Sequence, residues 1–77
     1  KIERIISKGH VSPKSGWYEQ SGDEWVIVLK GEAILAFESK YDVHLKAGDH
    51  IHIPAHTRHR VKWTLLDAET IWVAVHY

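Results

Sequence analysis

The stretch EWVIVLKGEAILAFES, residues 24–39, reads as two apolar, β-branched runs separated by one glycine. EWVIVLK is apolar on both faces of an extended chain, which predicts a central strand covered on two sides. EAILAFES reads as a second strand. Gly31 between them predicts a tight hairpin at Lys30, Gly31 and Glu32, the glycine supplying the positive φ.

Working outward, strand signals continue and no helical periodicity competes with them. IERIIS (2–7) is a short apolar opening, and HVSPKSG (10–16) a loop by its Pro, Gly and Ser content. WYEQ (17–20) is a short strand candidate ahead of a turn at SGD. YDVHLK (41–46), HIHIP (50–54), HRVKWTLL (59–66) and TIWVAVHY (70–77) complete seven or eight strands with turn signals every eight to twelve residues. The expectation is one all-β domain over residues 1–77, a small antiparallel β-barrel or sandwich, without repeat or linker.

Composition narrows the function classes. A chain of 77 residues buries only about 60% of the surface its unfolded form exposes, so a partner subunit or a metal would add to a modest core. There is no cysteine, which excludes disulfides, thiolate metal sites and zinc fingers. Ten basic residues balance ten acidic ones, which lacks the footprint of a nucleic-acid or anionic-membrane binder. Arg58, Arg60 and Lys62 alternate and read as the wet face of a strand. No apolar run approaches the length of a membrane helix and no signal-peptide pattern opens the chain, so a soluble cytoplasmic protein is expected.

Seven histidines invite a metal or proton-transfer reading, and strand alternation sorts them. Between Arg58 and Trp63 the charged side chains occupy even positions. His59, Val61 and Trp63 are therefore expected to face inward. Ile51 and Ile53 claim the core face of their strand, which puts His50 and His52 outside, and His44 goes outward with Lys46. Periodicity places neither His56, in the turn after Pro54, nor His76, on a strand apolar on both faces. Glu24 shares a face with Val26 and Val28, a setting unfavourable to a charge unless a partner compensates it. It sits either at the strand's wet end or in the same interior as His59.

Two spacings resemble the motifs of the cupin superfamily, in its small conserved-barrel branch. Glu24, six residues, then Gly31 fits the second half of the first motif, G(X)5HXH(X)3-4E(X)6G. Gly48, five residues, Pro54 and then His59 fits the second, G(X)5PXG(X)2H(X)3N, although His56 replaces its glycine and Trp63 its asparagine. The resemblance implies a jelly roll, or double-stranded β-helix, with Glu24 and His59 at ligand positions of a divalent transition metal such as Fe, Mn, Ni or Zn. The histidine pair of the first motif is missing: those positions are Tyr18 and Gln20 in one register, Trp17 and Glu19 in the other.

Three arrangements stay open. In the first, Gln20, Glu24 and His59 hold the ion beside Tyr18. In the second, His56 supplies a lost imidazole, or His52 does if its strand slips by one residue. In the third, no metal binds, and Tyr18, Gln20, Glu24, His59 and Trp63 form a polar, aromatic-rimmed pocket for a small molecule. There His59 and Glu24 act as general acid and base, with Tyr18 donating a hydrogen bond. Oxygenase, isomerase or lyase chemistry, a non-catalytic sensing module and a purely structural barrel are all compatible with this fold. Trp25, Ile27 and Leu29, with the two apolar faces of the last strand, predict a homodimer, since a barrel this small has one interior.

Overall fold

The computed structural model describes residues 1–9 and 16–77, so the loop expected at 10–16 lies, apart from Gly16, outside the described residues. Seven strands form: β1 (Ile2–Ser7), β2 (Glu24–Lys30), β3 (Glu32–Phe37), β4 (Val43–Lys46), β5 (His50–Ile53), β6 (His59–Thr64) and β7 (Thr70–His76). They make two antiparallel sheets, ordered β1-β7-β2-β5 and β4-β3-β6, and the architecture is all-β as expected. Among the described residues no helix is long and apolar enough to cross a membrane. The core between the sheets is built from Val26, Val28 and Trp72 on one side and Ala33, Leu35, Phe37 and Leu45 on the other.

β2 is central, hydrogen-bonded to β7 on one edge and to β5 on the other. The hairpin expected between β2 and β3 is therefore not formed. With both edges of β2 taken, β3 has none to pair with, and Gly31, at φ 87°, turns the chain from one sheet into the other. The corner is close-packed: a Cβ on Gly31 would lie 2.6 Å from Thr70 Oγ1 and 2.7 Å from the Glu69 carbonyl oxygen. Thr70, fully buried, fixes this corner by accepting from the Glu32 N–H and donating to the Glu32 carbonyl.

The second departure is at Trp63. Leu35 pairs with Val61 but Ile34 pairs with Trp63, so Lys62 is an extra residue in β6. A bulge of one residue reverses the alternation beyond it. His59 and Val61 keep their inward faces, Thr64 becomes the buried residue, and Trp63 turns outward, its ring 6.4 Å from that of His44. The candidate strand at 17–20 is reduced to a bridge, in which Tyr18 and His59 exchange both backbone hydrogen bonds at 2.8 and 3.0 Å.

Asp23 fastens the start of β2. Its carboxylate accepts from the Ala55 N–H at 3.0 Å and lies 3.0 Å from His52 Nε2, while its backbone pairs with Tyr77. The Ala55 N–H, and after it His52, hold the Asp23 carboxyl below its ordinary range. As pH falls the unfolded chain takes up this proton first, so the contribution is present above the ordinary carboxylate range and lost below it.

Two predictions follow from these contacts. Gly31→Ala meets both a positive φ and a backbone clash, and is expected to cost about 2–4 kcal/mol, read as a Tm lower by at least about 10 °C. Asp23→Asn is expected to lower the urea midpoint at about pH 6, with the difference from wild type shrinking as acid takes the protein below the usual carboxylate range. A deficit independent of pH would show that the carboxylate charge does no stabilising.

Candidate functional site

The inner faces of the two sheets enclose a cavity of about 390 Å³. Its wall is apolar, formed by Ile5, Val26, Leu35, Ile53, Val61 and Trp72 among others, and its polar end carries Glu3, Tyr18, Gln20, Glu24, His59 and His76. Four of the polar residues, Glu3, Glu24, His59 and His76, arrive by strand register. Glu24 is the first residue of β2, on the face of Val26 and Val28, and His76 lies directly opposite it on β7. His59 is the first residue of β6, inward like Val61. Glu3 pairs with Ala74 and reaches His76 from β1. Tyr18 is held by its bridge to His59, and Gln20 by its carbonyl, which accepts from the His56 N–H at 2.7 Å.

Glu24 is 8% exposed and His59 7%, so both are buried ionisable groups. Gln20 Nε2 donates to Glu24 Oε1 at 2.8 Å. His59 Nδ1 donates to the Thr57 carbonyl at 2.9 Å, which in the neutral ring leaves the Nε2 lone pair pointing into the cavity. Nε2 and Glu24 Oε1 face each other at 3.7 Å, beyond hydrogen-bond reach. Taking a carboxylate out of water costs several kcal/mol, whereas a hydrogen bond to a charged group returns about 1.5–3 kcal/mol. Beside the Gln20 amide, the nearest further partner of the Glu24 carboxylate is His59 Nε2, which compensates the charge only when protonated. His76 stands next in line, with Nδ1 3.1 Å from Gln20 Oε1 and Nε2 3.2 Å from Glu3 Oε1.

Tyr18, Gln20, Glu24 and His59 thus meet at one cavity, with Tyr18 half exposed at its edge. Positions 18 and 20, not 17 and 19, are the inward pair: Trp17 lies under the Arg60 guanidinium and Glu19 faces Arg58 and His56. Glu19, and after it Glu38, holds the Arg58 guanidinium above its ordinary pKa.

Three expected participants are elsewhere. His56 occupies a turn at φ 62°, with a 67% exposed side chain, and does not line the cavity, because this turn directs it toward Glu19. His52 is on the outer face, 3.0 Å from Asp23 and stacked on Tyr77, since Ile51 and Ile53 take the inner one. The bulge at Lys62 removes Trp63 from the pocket. His76 and Glu3 were not anticipated. Their signals are the sets Trp72, Ala74, His76 and Glu3, Ile5, Ser7, each on one face, which become readable only once Trp72 is known to be inside.

A first-row ion in a protein site asks for three or more protein donors. Glu24 Oε1 and His59 Nε2 converge, but Gln20 turns its NH₂ to Glu24 and its oxygen to His76. No group of three His, Asp or Glu residues placed to hold a metal occurs among the described residues. Of the expected set, Glu24 Oε1 and His59 Nε2 converge, while the Gln20 amide oxygen faces His76.

The cupin domain family matches residues 5–76. No curated protein matches the chain. Among solved structures, a provisionally named mannose-6-phosphate isomerase of Ralstonia eutropha JMP134 is 47% identical, with a TM-score of 0.92 over 97% of this chain and 70% of its own. The DMSP lyase DddQ of Ruegeria pomeroyi DSS-3 is 19% identical, with a TM-score of 0.76 over 97% of this chain and 37% of its own. A cupin protein of Bacteroides fragilis is 12% identical, with a TM-score of 0.77 over 97% of this chain and 62% of its own. The last two likenesses show the fold alone. The strand order, the buried Glu24 and His59 at the motif positions and the match over nearly the whole length agree: the chain belongs to the cupin domain family.

Proposed function

We propose that the chain binds a small organic molecule inside the barrel, with Glu24 and His59 receiving its polar group. The observation that carries this reading is the pair of acceptor atoms, Glu24 Oε1 and His59 Nε2, 3.7 Å apart at the polar end of an otherwise apolar cavity. With the His59 ring neutral both atoms accept, so a donor group of a bound molecule can bridge them. A cavity of about 390 Å³ lies within the range of small-ligand sites.

The pair also suits proton transfer. His59 Nε2 accepts a proton from the bound molecule, the Thr57 carbonyl holds the opposite ring nitrogen, and Glu24 stabilises the resulting imidazolium. Tyr18, at the cavity edge, is placed to contact the outer end of the molecule. The lining does not favour the sugar phosphate in the name of the R. eutropha protein. No lysine or arginine is among the described lining residues, whereas two carboxylates are, and phosphate recognition relies on cationic or backbone N–H donors.

A protein-observed NMR screen of small polar compounds is expected to give hits that shift the signals of Val26, Val61 and Trp72 and weaken about tenfold or more in His59→Ala. Hits whose shifts all fall outside the cavity would sink the reading. Elemental analysis of untagged protein is expected to find well under one transition metal per chain. A stoichiometric ion lost in both His59→Ala and Glu24→Gln would restore the three-ligand arrangement.

The outer face of sheet β1-β7-β2-β5 supports a homodimer. Ile2, Ile6 and Leu29 are 75%, 44% and 53% exposed there, beside partly buried Trp25, Ile27, Val73 and Val75. A two-fold axis would lay this face on its own copy and cover both apolar surfaces at once. Sedimentation velocity at micromolar concentration is expected to give a dimer in wild type and a monomer in Ile27→Glu.

A further inference from the structure

Resting on the ligand-binding reading above, the geometry points to an organic ammonium ion as the class of molecule the cavity selects: an apolar body with one protonated amine. Glu24 places a carboxylate at the polar end of the cavity with no lysine or arginine beside it among the described lining residues. Its side chain is 11% exposed, its Oε1 accepts from the neutral Gln20 amide at 2.8 Å, and the next nitrogen, His59 Nε2, is 3.7 Å away. The other carboxylate, Glu3, is already paired with His76 Nε2 at 3.2 Å and is 43% exposed on its side chain. His76 cannot turn to Glu24, because its other nitrogen is engaged by Gln20 Oε1. Arg60 and Lys62 are on the far side of β6, over Trp17 and against Asp42 respectively.

What the polar end offers is therefore acceptors: the Glu24 oxygens and, across 3.7 Å, the His59 nitrogen. A primary ammonium group has several N–H donors and one positive charge, and meets both demands. An alcohol meets the donor demand and brings no positive charge. A carboxylate or phosphate meets neither and adds repulsion. Beyond the polar end, Ile5, Val26, Leu35, Ile53, Val61 and Trp72 accept an apolar body that the ammonium group alone would not fill.

The test is isothermal titration calorimetry at neutral pH with three probes of one shape: cyclohexylmethylamine, cyclohexylmethanol and cyclohexanecarboxylate. The amine is expected to bind wild type at least about tenfold tighter than the alcohol, with no detectable binding of the carboxylate. In Glu24→Gln, an isosteric change checked for folding by circular dichroism, the amine-to-alcohol ratio is expected to fall to within about threefold. Equal affinities of amine and alcohol for wild type would overturn the ammonium inference and leave the binding pocket standing. Preference for the carboxylate would also overturn it. Absence of binding by all three at millimolar concentration would overturn the pocket reading together with it. The wild-type comparison decides the matter even if Glu24→Gln fails to fold.

Discussion

Both edges of β2 are hydrogen-bonded, one to β7 and the other to β5. From this constraint much of the molecule follows. The chain leaving β2 cannot fold back beside it, so it must step into the second sheet, and the step has to be made within one residue. Only a residue without a side chain fits where Thr70 Oγ1 and the Glu69 carbonyl approach so closely. The same pairing aligns the first residue of β2 with the last of β7, which brings Glu24 opposite His76 and beside the mouth of the barrel.

The polar end of the cavity is an unequal chain of contacts. Glu3, His76, Gln20 and Glu24 are linked in series at 3.2, 3.1 and 2.8 Å, and the series stops short of His59 by a gap of 3.7 Å. Exposed pairs elsewhere on the surface, such as Lys62 with Asp42, are worth little in water. The Glu24–His59 pair differs because both side chains are largely buried, 11% and 9% exposed, where water screens a charge less. The two groups come from different sheets, Glu24 from β2 and His59 from β6.

Trp63 has the sequence context of an inward residue, yet one extra residue at Lys62 turns it to solvent. A bulge leaves no local signature here, since Lys62 is polar on either count. His56 and His52 were drawn toward the site by their number and closeness in the sequence. Each instead has a carboxylate partner on the surface, Glu19 for His56 and Asp23 for His52.

The sequence by itself determined the strand class, the inward face of His59 and the spacing of Glu24 and His59 to their glycines. These depend on period-two alternation and short-range turn chemistry, which are local properties. Only the tertiary structure decided that β2 and β3 lie in different sheets, that Gln20 offers its amide nitrogen to Glu24, and that Glu3 and His76 complete the polar end. Those outcomes come from pairing between distant segments, in one case residues 3 and 76, and no local pattern encodes which strand edge will meet which.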